Sequence, residues 1–250
     1  GRWNPSSIIS ATAAGTESWQ PAALCDSIRA SASDWCERST LIESIPVSGR
    51  AAWPDDTLSR LRGTGRLPGA RWCPSPNFGP RPEGEEISLL VIHNISLPPG
   101  EFGGSAIEAF FCNRLDPDAH PYFRTIADLR VSAHALIRRD GEVVQFVSLL
   151  DRAWHAGRSC FQGREECNDF SIGIELEGTD DTPYTDTQYH RLAELAALIM
   201  AAWPGIDVSR IAGHSDIAPG RKTDPGPAFD WSHFRHQLAR MTGDDAQELA

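Results

Sequence analysis

Ser132-Ala133-His134-Ala135-Leu136-Ile137-Arg138-Arg139-Asp140-Gly141-Glu142-Val143-Val144-Gln145-Phe146-Val147 is the stretch from which the fold is read. Two short runs of apolar and β-branched residues flank Asp140-Gly141, and aspartate followed by glycine between such runs favours a two-residue turn of type I′. The expectation is an antiparallel hairpin. Upstream, Ile87 to Ile92 is a short apolar run that reads as a buried strand, with His93-Asn94 at its end. Strand ends of α/β sheets are where ligands and catalytic groups are presented. Downstream, Phe170-Ser171-Ile172-Gly173-Ile174-Glu175-Leu176-Glu177 alternates apolar with small or acidic residues, the pattern of a half-buried strand, and places Glu175 and Glu177 on one face. Val208 to Ala212 supplies a last strand that leads into His214.

Helices fall between these strands. Thr185-Asp186-Thr187-Gln188 is a capping box, and Tyr189, Leu192, Ala196, Ile199 and Trp203 form an apolar stripe that Pro204-Gly205 ends. Ser105 to Arg114 fits a short helix, and Asp230 caps a closing helix that runs to Arg240. Pro54-Asp55-Asp56 suits the start of a helix to Arg62, and another short helix fits Pro21 to Glu37. Strands and helices thus interleave around a hairpin, which predicts an α/β fold with a single mixed β-sheet flanked by helices. Leu67 to Pro82, rich in proline, reads as a linker into the first strand. The domain organisation expected is an irregular N-terminal extension of unassigned role over 1–65, one domain over 66–242 and a tail over 243–250.

Composition narrows the function classes. The formal charge of −11 disfavours nucleic acid and anionic lipid, whose binders cluster Lys and Arg. One local arginine can still hold a carboxylate, so a small anionic substrate stays open. No uninterrupted apolar run approaches the roughly 20 residues of a membrane helix, so an integral membrane protein is not expected. The segment Ser7 to Ala14 is too short and polar for the apolar core of a signal peptide. Six cysteines, at 25, 36, 73, 112, 160 and 167, show no C-x-x-C pair or zinc-finger spacing and read as reduced thiols, which suits the cytoplasm.

The chemistry concentrates in Gly213-His214-Ser215-Asp216-Ile217-Ala218-Pro219-Gly220-Arg221-Lys222-Thr223-Asp224-Pro225-Gly226-Pro227, which holds an imidazole, an ammonium and carboxylates within one segment punctuated by proline and glycine. A catalytic zinc takes three such ligands from separate parts of a fold and leaves a fourth position for water. His93, His214 and Asp224 stand out, each beside chain-turning residues. Composition alone does not choose among His93, His120, His134, His155 and His214, and a single histidine is more often structural than metal-bound. Glutamate inside an Ile-Gly-Ile-Glu-Leu strand is unusual, and partial burial would raise the pKa of Glu175 toward that of a general base.

Five ordered blocks decide between these readings. Val91-Ile92-His93-Asn94-Ile95-Ser96-Leu97-Pro98-Pro99-Gly100-Glu101-Phe102-Gly103-Gly104, Arg130-Val131-Ser132-Ala133-His134, Ala153-Trp154-His155-Ala156-Gly157, Ser171 to Thr179 and Arg221 to Pro227 resemble the AmpD-type anhydro-N-acetylmuramoyl-L-alanine amidases, within the zinc amidase and peptidoglycan recognition protein superfamily. The resemblance runs from about Leu67 to Arg240. It implies a zinc amidase-like fold and Zn2+ bound by His93, His214 and Asp224, with Glu175 as general base or proton shuttle and Lys222 stabilising the developing oxyanion. It further implies cytoplasmic hydrolysis of the amide between the lactyl group of anhydro-muramic acid and L-alanine, in soluble anhydro-muropeptides released during peptidoglycan recycling. Asn94, Arg130 and Trp154 match positions near the substrate. One departure is Glu166, which stands where relatives can carry an arginine before Cys167-Asn168-Asp169-Phe170, and it bears on peptide recognition rather than hydrolysis. A non-catalytic muropeptide-binding module and an exported amidase acting on intact wall are the alternative functions; the oligomeric state is open.

Overall fold

The computed structural model describes residues 53–243. The helix expected over Pro21–Glu37, together with Cys25 and Cys36, lies outside the described residues. In chain order the elements are α1 (Asp55–Thr64), β1 (Arg71–Trp72), β2 (Phe78–Gly79), β3 (Leu89–Ile95), α2 (Ala106–Phe111), β4 (Ala135–Ile137), β5 (Val143–Gln145) and β6 (Arg152–Ala153). There follow β7 (Cys160–Phe161), β8 (Arg164–Glu165), β9 (Ser171–Glu177), α3 (Asp186–Ala202), β10 (Ile211–Gly213), α4 (His214–Ile217) and α5 (Trp231–Thr242).

The hairpin of β4 and β5 forms as the sequence predicts, in register Leu136 to Val144. Its turn differs. Arg138 N–H donates to the carbonyl of Glu142 and Gly141 N–H to that of Arg138, so three residues rather than two connect the strands. Gly141, with φ at 88°, takes the left-handed position that closes such a loop, and no positive φ occurs at Asp140, which a type I′ turn requires. The Asp140 carboxylate instead accepts from Glu142 N–H.

A six-stranded mixed sheet grows from this hairpin in the order β1-β5-β4-β9-β3-β10. Strand β9 pairs in parallel with β3 on one side and β4 on the other. All seven of its residues are therefore buried, rather than one face only as the alternation suggested. The alternation still sorts the two faces. Ile172, Ile174 and Leu176 pack with Leu90 and Ile92 of β3 against Leu192, Ala196 and Ile199 of α3, in the largest core cluster. Ser171, Gly173, Glu175 and Glu177 form a polar file on the opposite face, flanked by one apolar cluster around α2 and another around Leu89, Val91 and Phe170. Burying each large aliphatic side chain on the α3 face contributes at most about 1.5–3 kcal/mol, so this layer holds the sheet while the other remains free for chemistry.

Helix α3 starts at the predicted capping box, with Thr185 Oγ1 accepting from Gln188 N–H and the Gln188 side chain accepting from Thr185 N–H. The closing helix α5 is capped by Asp230 as expected and packs along α3. Helix α1 also joins this layer: Leu61 is in the core, and the Arg62 guanidinium donates to the Ala202 and Ala201 carbonyls at the C-terminal end of α3. The packed body therefore reaches back beyond the expected boundary at Gly65. Nor is Leu67–Pro82 a free linker. It supplies edge strand β1, parallel to β5, and β2, antiparallel to β6. Arg81 at its end donates to the carbonyls of Asp169 and Ser171, tying the segment to the start of β9.

Candidate active site

Parallel pairing of β3 and β9 puts His93 beside Glu175, and pairing of β3 with β10 brings the chain out at His214, the first residue of α4. His93 sits within β3 rather than at its end, because the strand continues to Ile95. The loop after α4 returns so that Ser215 N–H donates to the Asp224 carbonyl at 2.9 Å. Gly213 is needed for this approach: a Cβ there would lie 2.9 Å from Pro225 Cδ. The Pro225 carbonyl accepts from Asn94 Nδ2 at 3.0 Å and Tyr184 Oη at 2.8 Å, which fastens the segment carrying Asp224.

Three side-chain atoms from these elements converge. His93 Nδ1 lies 3.0 Å from His214 Nδ1 and 3.1 Å from Asp224 Oδ2, and His214 Nδ1 lies 3.0 Å from the same oxygen. All three residues are buried. Two imidazole nitrogens facing each other and one carboxylate oxygen are an awkward group without a shared cation, and a suitable donor set with one. The remaining nitrogens point away: His214 Nε2 is 3.1 Å from the Ala156 carbonyl and His93 Nε2 is 2.9 Å from His155 Nδ1. Because a carbonyl only accepts, His214 carries its proton on Nε2 and offers a lone pair at Nδ1.

Electrostatics agree with a cation site. Burial above all lowers the His93 pKa to about 4, against the opposing pull of Asp224, so the imidazole is neutral at pH 7, as a metal ligand must be. Burial pushes the Asp224 carboxyl upward, and positive charge at the two histidines holds it below the ordinary carboxylate range; with both imidazoles neutral, a shared cation would supply that charge. Glu175 goes the other way: burial, reinforced by Asp224 and opposed by Lys222, raises it well above 4.5. Its Oε2 is buried with no hydrogen-bond partner among the described residues. Burial likewise lowers Lys222, with Asp224 opposing. The chain thus gathers a candidate metal triad, an unsatisfied carboxylate and a buried ammonium, which is the equipment for acyl-transfer hydrolysis.

The profile of the family described as N-acetylmuramoyl-L-alanine amidase matches residues 83–227. The chain belongs to this amidase family. It is 63% identical over 174 residues to the 1,6-anhydro-N-acetylmuramyl-L-alanine amidase AmpD of Enterobacter cloacae, covering 70% of this chain and 92% of that protein. The AmpD of Escherichia coli K12 is 60% identical over 178 residues, covering 71% of this chain and 97% of its own length. A crystal structure of a selenomethionine derivative of AmpD superposes with a TM-score of 0.68 at 60% identity, covering 70% of this chain and 97% of that one. The mixed sheet with flanking helices is therefore the amidase fold. His93, Glu175, His214, Lys222 and Asp224 all lie inside the matched span.

The other predicted site residues have these places in the amidase. Asn94 commits its amide nitrogen to Asp180 Oδ1 at 2.8 Å as well as to Pro225. Arg130 is exposed and donates to the Ala127 and Leu129 carbonyls. Trp154 is half-buried, with its backbone N–H donating to Ser132 Oγ. Glu166 faces Arg152 at 3.5 Å, and Arg152 also pairs with Asp169. Of the histidines that composition left open, His134 accepts from Gly173 N–H at Nδ1 and lies 3.0 Å from the Asp151 carbonyl at Nε2. His120 accepts from Tyr122 N–H, a local turn contact. His155 alone of the three touches the triad.

Proposed function

We propose that this amidase hydrolyses the bond between the lactyl group of 1,6-anhydro-N-acetylmuramic acid and L-alanine in soluble muropeptides, with one zinc held by His93 Nδ1, His214 Nδ1 and Asp224 Oδ2. The observation that carries the reading is the convergence of those three atoms next to a buried carboxylate oxygen that has no partner among the described residues. Two imidazoles and one carboxylate are a ligand set that zinc accepts. When bound, the ion supplies a water acidified to a pKa of about 7 and a Lewis acid for the scissile carbonyl.

This chain's own side chains do the rest. Glu175 takes a proton at its unsatisfied oxygen from the attacking water and returns it to the departing amine of L-alanine. A raised carboxylate pKa suits both directions of that transfer. The Lys222 ammonium offsets negative charge developing on the carbonyl oxygen, and burial strengthens that interaction. Asn94, Arg130 and Trp154 are assigned to the substrate side of the same site, Asn94 through its carboxamide oxygen. The cytoplasmic recycling that the sequence resemblance implies is the setting proposed, and no helix among the described residues is long and apolar enough to cross a membrane.

The test is release of free peptide from a purified anhydro-muropeptide, before and after treatment with a chelator and after zinc is restored. The reading expects loss and recovery in step with zinc content. Undiminished activity in protein stripped of all metal contradicts it, and binding without turnover by zinc-loaded protein would favour the non-catalytic module.

A further inference from the structure

One short loop backs both metal-facing histidines. His155 Nδ1 stands 2.9 Å behind His93 Nε2, and the next residue, Ala156, presents its carbonyl 3.1 Å from His214 Nε2. The loop is itself fastened. Asn168 Oδ1 accepts from the backbone N–H of His155 at 3.1 Å and of Ala156 at 2.8 Å, and Arg221 donates to the Ala156 carbonyl at 2.7 Å.

The His214 tautomer follows from its carbonyl partner. That of His93 depends on which way the contact with His155 is polarised. His155 Nε2 lies 3.2 Å from Ser171 Oγ. With the His155 proton on Nε2, donated to Ser171, His155 Nδ1 becomes an acceptor, His93 Nε2–H donates to it, and His93 Nδ1 is left bare toward Asp224 and His214. The opposite polarity would put the proton on His93 Nδ1, where it blocks a metal. Gly173 makes room for this relay. Its φ lies outside the left-handed region, so conformation does not require glycine there, but a Cβ would lie 2.5 Å from Cγ and Nδ1 of His155.

We propose that His155 is a positioning residue of this amidase: its imidazole, seated on Ser171 and given space by Gly173, locks His93 in the tautomer that turns Nδ1 to the metal. The inference rests on the zinc site argued above. His155 acts through His93 and needs no contact with substrate. Outer partners of metal-bound histidines typically change metal affinity or activity about 10–100-fold when removed.

Zinc affinity, read by competition with a chromophoric chelator, tests this on His155→Leu, which removes the acceptor, and His155→Asn, whose Oδ1 falls near the position of Nδ1. His155→Leu is expected to bind zinc about 10–100-fold more weakly and to lose kcat with KM little changed. His155→Asn should recover most of both. Thermal unfolding of the metal-free proteins separates positioning from folding, since a positioning role leaves the two variants with similar midpoints. Ser171→Ala, a smaller change, should weaken zinc binding in the same direction and covers the case in which His155→Leu folds poorly. Zinc affinities within about twofold of the unaltered chain in both His155→Leu and Ser171→Ala would overturn the assignment. If the unaltered chain binds no zinc, the metal site itself fails, and the relay with it.

Discussion

Glu175 and Glu177 are the same residue type, two positions apart on one face of β9, and both are buried, at 8% and 1% exposure. Their surroundings divide them. Glu177 accepts from Gly103 N–H at 2.7 Å and Arg138 at 3.5 Å through Oε1, and from Arg139 N–H at 3.2 Å through Oε2. Arg138 in turn pairs with Glu108 and Glu142, which Arg71 bridges from outside. Glu175 has one oxygen with no partner among the described residues and faces Asp224 and Lys222. A buried carboxylate whose acceptors are filled is scaffold, because removing it strands several donors at once. A buried carboxylate left unsatisfied is costly to the fold, and this cost is the ground on which we propose Glu175, and not Glu177, as the proton carrier.

The sharpest way to break this comparison is to remove the site next to Glu175. Asp224→Ala should lose bound zinc and all measurable amidase turnover; elemental analysis alongside a peptide-release assay checks both. Next in size, Glu175→Gln should lower kcat by roughly 10²–10⁴-fold with zinc retained. Its stability effect runs opposite to the activity effect. The folded pKa is raised above the ordinary 4.5, so ionised Glu175 weakens the fold as pH rises past that value. Urea unfolding of the metal-free protein should therefore show the Gln variant gaining on the unaltered chain between pH 4 and pH 7. Lys222→Met should cost roughly 10²–10³-fold in kcat, measured with zinc saturating.

On the Glu177 side the effects move from rate to stability. Glu177→Ala should destabilise by about 1–3 kcal/mol in urea unfolding, as the Gly103 and Arg139 N–H groups lose their acceptor. The smallest effect belongs to Glu108, whose pKa is lowered to about 2, chiefly by its hydrogen bond with Arg71 and also by Arg138. A depressed carboxyl stabilises the fold above its unfolded pKa and loses that contribution as pH falls toward the folded value. The stability gap between the unaltered chain and Glu108→Gln should thus be full at pH 7 and close between about pH 4.5 and pH 2.

Local signals carried most of the fold. The capping box of Thr185 and Gln188, the stop at Pro204-Gly205, the Asp230 cap and the hairpin around Gly141 are each set by residues within a few positions of one another, and each formed where the sequence placed it. What escaped was long-range. Burial of the polar face of β9 follows from parallel neighbours on both sides, which no alternation within the strand encodes. The prolines of Leu67–Pro82 concealed β1 and β2, whose pairing depends on β5 and β6 more than sixty residues later. Within the site, His93, His214, Asp224 and Glu175 stand beside strand ends, turns or an apolar run, but those local features leave the other histidines open, and the family resemblance selects the set. His155 was one histidine among several, and only the fold brings it across 62 positions to His93.

The most direct measurement compares zinc-loaded Glu175→Gln and Glu177→Gln side by side for peptide release from a purified anhydro-muropeptide, with zinc content determined on the same samples. The account predicts full zinc occupancy in both, a loss of at least about 10²-fold in kcat for Glu175→Gln, and a rate within about tenfold of the unaltered chain for Glu177→Gln. Near-normal turnover by zinc-loaded Glu175→Gln, or equal losses in the two variants, would contradict it.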